Sequence, residues 1–314
     1  MENLLFCLNV TVPIFLMMVI GMVLKSLKVL DSTFTTAVNK FVFALALPAS
    51  LFRDMATSHF SQVWDTRFVL FCFFATLGEI AIAAGLSLFL KSRSLRGEFV
   101  QAAYRSSASL LGVALIRNMY GNSGFGPLMI IGSVPLYNIM AVVVLSFTQP
   151  GNSGIDRKTL MKNLKAVATN PLIVGIVAGM IWSALEIPQP AIMVKTVDNL
   201  AQVATPMGLI AMGASFDYKQ VGAGMKPAMA ASALKLMGFC ALFLPVAVAM
   251  GFRQEHLVAI LVMLGSATTV TCYVMARNMG HEGVLTSSAV AITTAASAFT
   301  LTFWLYIVKT LGLI

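Results

Sequence analysis

The chain has 314 residues, of which 58% are apolar and 11% charged, and its net charge is +9. Soluble domains usually have about 45–50% apolar and about 25% charged residues. A soluble protein of this size cannot hide so much apolar surface, so the composition excludes a soluble enzyme, and it equally excludes a disordered chain. The basic residues are spread in small groups between apolar runs, which indicates membrane orientation rather than nucleic-acid binding. All four cysteines lie within apolar runs, so we expect neither a disulfide framework nor a metal cluster.

Ten apolar runs are long enough to cross a bilayer, which requires about 20 residues in a helix. We therefore predict an all-α integral membrane protein with ten transmembrane helices. The runs cover residues 3–24, 33–52, 68–90, 99–119, 124–148, 164–185, 191–213, 227–250, 256–276 and 284–309. The first run lacks a basic n-region and is longer than a typical signal-peptide core, so we interpret it as a span.

The distribution of Lys and Arg predicts the orientation, because cytoplasmic loops are enriched in these residues. In a ten-span arrangement, twelve of the loop Lys and Arg residues lie on one side and six on the other. This bias predicts that both termini lie outside a plasma (inner) membrane that the chain crosses many times. The longest loop, 149–163, then lies in the cytoplasm.

The two halves of the chain resemble each other. Pro13 and Gly21 in the first run correspond to Pro171 and Gly179 in the sixth, at the same offset of 158. Further matches pair Pro48 with Pro206, Arg96-Gly-Glu98 with Arg253-Gln-Glu255, and Arg117-Asn-Met119 with Arg277-Asn-Met279. We predict a first repeat over 1–148 (spans 1–5), a cytoplasmic linker over 149–163 and a second repeat over 164–314 (spans 6–10). Five spans in each half make the repeat inverted, which is a recurrent plan of secondary transporters.

Sequence motifs of soluble enzymes are absent. The chain has no phosphate-binding G-x-x-x-x-G-K-[ST], no H-E-x-x-H and no G-x-S-x-G motif, and its three histidines lie in or beside predicted loops. We therefore expect no enzyme activity and no cofactor.

The fourth and ninth runs carry hydroxyl side chains where lipid-facing helices usually have Leu or Ile. These residues are Ser106, Ser107, Ser109, Ser266, Thr268 and Thr269. One interpretation is that they allow close helix packing, with their hydroxyls bonded to the preceding turn. The other is that both helices break here and expose backbone and hydroxyl groups to a solute or ion. The symmetric placement in both halves favours the second interpretation.

Of the charged residues inside predicted spans, three are candidates for a functional role, because a charge there is costly unless it is paired or hydrated. Glu79 and Lys235 occupy nearly equivalent positions in the two halves. They are candidates for proton coupling or charge compensation, and a structural ion pair is the alternative. Arg105 has no equivalent, because Gly265 occupies that place. It is a candidate countercharge for a carboxylate, although it lies close enough to the end of its span that its side chain could instead extend to the cytoplasmic surface.

Three segments resemble the auxin efflux carrier family, and the resemblance covers nearly the whole chain. They are NKFVFALALPASLF at 39–52, NPLIVGIVAG at 170–179 and PMGLIAMGAS at 206–215. The resemblance implies ten spans in two inverted halves, with the fourth and ninth crossing at broken midpoints as in bile-acid symporter and sodium–proton antiporter folds. It also implies a scaffold of spans 1, 2, 6 and 7, a moving domain formed by the others, homodimers as in plant members, and small organic anions as substrates. The chain departs from the family pattern by having Ser and Thr where prolines are usual at the crossing.

These observations lead to two functional expectations. The first is a secondary active transporter that moves a small carboxylate such as malonate, malate or an auxin-like acid, with H⁺ or Na⁺ as a candidate coupling ion. The alternative is a membrane sensor or binding module that keeps the same fold without transport. For the transporter, we expect Arg105 and the six hydroxyl residues to bind the anion, and Glu79 and Lys235 to serve coupling or charge compensation.

Overall fold

The computed structural model describes residues 2–57, 65–108, 113–120, 125–150, 165, 169–215 and 221–314. All regular secondary structure in these residues is helical. We number the helices α1 (Glu2–Ser26), α2 (Ser32–Ala56), α3 (Thr66–Ser87), α4 (Arg93–Tyr104), α5 (Val113–Tyr120), α6 (Gly126–Thr148), α7 (Pro171–Ala184), α8 (Ala191–Ser215), α9 (Val221–Ala233, a π-helical turn at Leu234–Gly238, then Phe239–Ala249), α10 (Gln254–Gly265), α11 (Thr271–Asn278) and α12 (Val284–Thr310). Most of the predicted linker 149–163 lies outside the described residues.

The membrane-protein class predicted from composition fits the structure. Within the described residues, five helices are long and apolar enough to cross a bilayer: α2, α3, α6, the Gly224–Ala249 part of α9, and α12. Large apolar side chains such as Leu16, Phe74, Val177 and Phe299 are exposed on the outer surface of the helices, as expected for contact with lipid. Each predicted apolar run overlaps a described helix, but a total of ten crossings remains a prediction.

Helices α2 and α3 begin directly after an aspartate whose side chain caps them. The carboxylates of Asp31 and Asp65 accept hydrogen bonds from Phe34 N at the start of α2 and from Phe68 N at the start of α3. Such caps satisfy amide groups that have no partner inside the helix. Helices α1 and α7 end before Lys28 and Glu186, which both have positive φ, at 60° and 49°.

Two carboxylates cap helices of the opposite half of the chain. Glu98 of α4 accepts hydrogen bonds from the amides of Gly283 (3.0 Å) and Thr286 (3.1 Å) at the start of α12. Glu255 of α10 accepts one from the amide of Phe125 (2.9 Å) at the start of α6. The two carboxylates lie 157 positions apart and the two capped residues Phe125 and Gly283 lie 158 apart, so both contacts obey the offset of the proposed repeat.

Glycines allow two pairs of helices to pack closely. A Cβ atom at Gly21 of α1 would overlap the carbonyl oxygen of Ile210 in α8, and one at Gly179 of α7 would lie 2.6 Å from the carbonyl oxygen of Phe52 in α2. Gly21 and Gly179 differ by 158 positions, and so do Phe52 and Ile210. The α1–α8 and α2–α7 contacts are therefore equivalent under the proposed repeat, and α2 also packs against α8 to join the two pairs.

The fourth and ninth predicted spans are interrupted helices. Helix α4 ends at Tyr104 and α5 begins at Val113, whereas α10 ends at Gly265 and α11 begins at Thr271. The backbone is extended at Arg105 (φ −74°, ψ 129°) and at Ser266 (φ −75°, ψ 162°). Residues 109–112, including the candidate Ser109, lie outside the described part of the chain. Neither interruption contains a proline, so every residue there keeps its backbone N–H donor. The donors that no longer bond within a helix need other partners.

Candidate functional site

The non-helical segments after α4 and α10 cross and bond to each other. Ser107 N donates to the carbonyl oxygen of Ala267 at 3.0 Å, and Ser106 Oγ donates to the carbonyl oxygen of Met263. Thr268 Oγ1 donates to the carbonyl oxygen of Ala102 at 2.8 Å. Backbone away from water needs such partners. The hydroxyls of Ser106 and Thr268 thus bond to the last turn of the opposite helix. The other interpretation of the sequence had them bond to their own preceding turn.

Lys235 lies behind this crossing, in the π-helical turn of α9. Its ammonium group is fully buried and donates to the carbonyl oxygens of Tyr104 (3.0 Å) and Met263 (3.3 Å). Tyr104 is the last residue of α4, and Met263 lies in the last turn of α10. Both helices point the negative ends of their dipoles at this place. One ammonium group therefore compensates the ends of two helices that meet at the crossing.

Glu79 of α3 is the acidic partner of Lys235. Its Oε1 lies 3.5 Å from Lys235 Nζ, and both side chains are fully buried. Its other oxygen, Oε2, has no hydrogen-bond partner among the described residues. The structure thus brings together the two charges that sequence reasoning matched across the halves, and one oxygen of the Glu79 carboxylate has no donor among the described residues.

Arg105 follows α4 directly and is only 2% exposed, so it does not extend to the cytoplasmic surface. Its Nη1 lies 2.7 Å from Met275 Sδ and its Nη2 donates to Asn138 Oδ1, also at 2.7 Å. Its Nε is buried without a partner, and no carboxylate pairs with this guanidinium in the described part of the chain. A buried guanidinium normally has an anionic partner. Since Arg105 has none among the described residues, no negative group there compensates its positive charge.

A cavity of about 470 Å³ lies beside the crossing. It is bounded by both non-helical segments and by helices α2, α6, α8 and α12. Polar residues that line it are Ser50, Arg53, Asp54, Arg105, Ser106, Ser107, Asn138, Gln202, Thr205, Thr268, Thr269, Thr271 and Thr294. Apolar residues such as Leu47, Leu51 and Leu209 form much of the remaining wall. Mixed apolar walls with a few convergent polar groups are typical of small-molecule sites.

The structure assembles most, though not all, of the predicted binding residues around this cavity. Arg105, Ser106, Ser107, Thr268 and Thr269 line it. Ser266 is not among the described lining residues, and its buried hydroxyl has no hydrogen-bond partner in the part of the chain that the structure describes. Ser109 lies outside the described residues, and the Glu79–Lys235 pair is behind the crossing rather than in the cavity wall.

Sequence reasoning missed several lining residues, of which Asn138 matters most because it contacts Arg105. Asn138 is the only Asn, Gln or charged residue in the apolar run 124–148. An isolated amide inside a span is an indication that could have been used. The sequence gives no such indication for Ser50, Arg53 and Asp54. They lie near the end of α2, and only the tertiary structure brings that end to the cavity.

Comparison with known proteins identifies the family of the chain. Residues 6–305 match the model of a family described as "Membrane transport protein". The chain is also 25% identical, over 292 residues and 86% of each chain, to a Rhizobium meliloti (strain 1021) protein called "Putative malonate transporter". The family match spans nearly the whole chain, including both interrupted helices and the cavity beside them. The chain therefore belongs to this membrane transport protein family, the auxin efflux carrier family that the three sequence segments indicate.

Proposed function

We propose that the protein is a secondary active transporter that carries a small organic carboxylate by alternating access. The observation that carries this proposal is Arg105, a buried guanidinium that lines a cavity and lacks an acidic partner among the described residues. A small anion that leaves water for such a site needs a fixed positive group and hydrogen-bond donors. A guanidinium provides both, because it can hold a carboxylate through two parallel hydrogen bonds.

The surrounding charges favour an anion at the same place. Lys235 is already neutralised by Glu79 and by the ends of α4 and α10, so it contributes little field to the cavity. Arg53 also lines the cavity, but it lies 3.2 Å from the carboxylate of Asp54, so its charge is already paired. The start of α11 at Thr271 lines the cavity, and a helix N-terminus carries roughly half a positive charge. Arg105 and this helix end are the positive groups that an anion would meet.

The internal repeat supports the alternating-access mechanism. The glycine contact (α1–α8 and α2–α7) and the carboxylate cap (from Glu98 and from Glu255) each occur twice, at offsets of 157 or 158 residues. We propose two inverted five-span repeats, which would make two conformations of similar energy possible. In this proposal, α1, α2, α7 and α8 form a scaffold, and the remaining helices carry the crossing past it. The cavity lies between the two groups, where such a movement would open and close it.

Malonate is the first substrate to test, because the relative from Rhizobium meliloti is named for it. We propose H⁺ or Na⁺ as the coupling ion, with Glu79 as the candidate proton carrier. We further propose that the protein lies in the plasma membrane with both termini outside and forms a homodimer through the scaffold helices. Neither ion coupling nor dimer formation is needed for the carboxylate site itself.

Purified protein in proteoliposomes provides the test. We expect saturable uptake of radiolabelled malonate, malate or an auxin-like acid, driven by a proton or sodium gradient. Arg105→Lys keeps the charge but loses the planar pair of donors, so it should lose most of the affinity, and Arg105→Gln should lose it entirely. Lys195→Gln, which removes an exposed cation of α8 outside the cavity lining, is the matched control and should transport normally.

Two outcomes would contradict this function. Normal kinetics in both Arg105 variants would remove Arg105 from the site. Saturable carboxylate binding without flux under any imposed gradient would instead favour the sensor, the non-transporting alternative with the same fold.

A further inference from the structure

We propose that Asn138 is a positioning residue that gives the cavity its selectivity for anions. Its neutral amide oxygen orients the Arg105 guanidinium without cancelling its charge. This inference rests on the proposed carboxylate site and goes further, since it states why the residue beside the arginine is an amide rather than a carboxylate.

The orientation of the Asn138 amide follows from its two neighbours. Its Nδ2 donates to the carbonyl oxygen of Val134 at 2.9 Å, and its Oδ1 accepts from Arg105 Nη2 at 2.7 Å. A guanidinium has only donors and a carbonyl only accepts, so the opposite orientation would break both bonds. Asn138 is 3% exposed and lines the cavity together with Arg105. The carbonyl of Val134 therefore holds the amide of Asn138 in place, and the amide oxygen in turn orients the guanidinium of Arg105.

The neighbours of the guanidinium are neutral on every side that the structure describes. Nη2 meets an amide oxygen, Nη1 meets the thioether sulfur of Met275, and Nε has no partner. Aspartate has nearly the same shape as asparagine and would keep the hydrogen bond to Nη2, but it would add a negative charge 2.7 Å away. A buried carboxylate–guanidinium pair is satisfied internally, so it would compete with any carboxylate that enters the cavity.

Both members of the Arg105–Asn138 pair depart from the internal repeat. Gly265 stands at the place equivalent to Arg105, and offsets of 158 and 160 from Asn138 lead to Ala296 and Ala298. By contrast, the helix caps and the glycine contacts recur in both halves. Features that hold the fold together are thus duplicated, whereas this pair occurs once. A single copy is expected of a group that serves one ligand.

Two variants of the full-length protein in detergent separate charge from orientation. Calorimetric titration with malonate, and with its neutral diamide malonamide, would measure both affinities. Asn138→Asp should weaken malonate binding by roughly 100-fold or more and raise the affinity for malonamide relative to malonate. Asn138→Leu keeps the positive charge but loses the acceptor, so it should weaken malonate by about tenfold without changing that preference. A residue with only a structural role would not shift the ratio of the two affinities.

Asn278→Asp is the matched control. The Nδ2 of Asn278 donates to the carbonyl oxygen four residues earlier, Val274, at 2.8 Å, as that of Asn138 does, but Asn278 does not line the cavity among the described residues. It should keep the affinity for malonate. Unchanged malonate affinity in Asn138→Asp, or in Asn138→Leu if the aspartate variant does not fold, would overturn the inference. A wild-type protein that binds no carboxylate would overturn the proposed function itself, which distinguishes the two failures.

Discussion

Ser107 and Ala267 bond to each other at the crossing, through the amide of the first and the carbonyl oxygen of the second, 3.0 Å apart. They occupy equivalent places in the two halves, at an offset of 160. Glu79 and Lys235, offset by 156, likewise contact each other. In a two-fold arrangement, residues meet their own equivalents only near the axis. The crossing and the buried ion pair behind it therefore lie where the axis of an inverted repeat would run.

The sidedness of equivalent residues tests the inversion directly. Lys28 and Glu186 follow α1 and α7 at an offset of 158, and both are exposed with positive φ. We expect single cysteines at these positions, in a background without the four native cysteines, to react with membrane-impermeant reagent from opposite sides. The Lys28→Cys variant should react from the cytoplasm and the Glu186→Cys variant from outside. Labelling of both from one side would contradict the inverted arrangement.

Replacing the equivalent glycines Gly21 and Gly179 by alanine should lower the stability of the protein in the same way. Gly21→Ala and Gly179→Ala each add a Cβ against backbone of a facing helix. Both should lower the stability of the detergent-solubilised protein, by about 1–3 kcal/mol, because backbone cannot move aside as a side chain can. Thermal unfolding followed by size-exclusion chromatography would measure the loss.

Gly85→Ala is the control for these two variants, since an added Cβ there has nothing within 4 Å in the described structure. It should be neutral or slightly stabilising, because alanine favours a helix by about 1 kcal/mol. If all three variants melted alike, the close packing at Gly21 and Gly179 would not be what joins these helices.

Because Glu79 and Lys235 form a buried ion pair, we expect the stability losses of substitutions at the two residues not to add. Lys235→Met leaves the Glu79 carboxylate and the ends of α4 and α10 without their cation, so it should destabilise by about 3–5 kcal/mol. Glu79→Gln should cost less, because Lys235 keeps the carbonyl oxygens of Tyr104 and Met263 as acceptors. The double variant should be more stable than Lys235→Met alone, since the unpaired carboxylate is gone. Additive losses in a double-mutant cycle would show that the two charges do not interact.

Proton coupling by Glu79 gives a separate prediction about transport. If the carboxylate carries the coupled proton, Glu79→Gln should abolish the dependence of malonate flux on the pH gradient while malonate still binds. The measurement is flux in proteoliposomes across imposed pH gradients, at matched protein incorporation. A wild-type gradient dependence in this variant would leave only the role of a structural ion pair.

Much of the helical architecture could be predicted from the sequence, because twenty apolar residues in a row have few alternatives to a helix in lipid. The interruptions were also indicated, since Ser and Thr cluster at equivalent places. Three features could not be read from the pattern. The contact of Arg105 with Asn138 joins residues 33 positions apart, the position of Lys235 behind both helix ends depends on a π-helical turn, and the cavity wall from α2 depends on how helices of different halves pack.

The cap that Glu98 supplies to α12 has a consequence for the synthesis of the protein. The carboxylate of Glu98 bonds to the amide of Gly283, 185 residues further along the chain, and is fully buried when it does so. When a ribosome has made the first half, the partner of this carboxylate does not yet exist, and it appears only when the last helix follows. Until α12 has been made, the Glu98 carboxylate therefore lacks the backbone donors that it has in the folded protein. The N-terminal half made alone would lack these donors, so we expect it to need the separately made C-terminal half to reach its final structure.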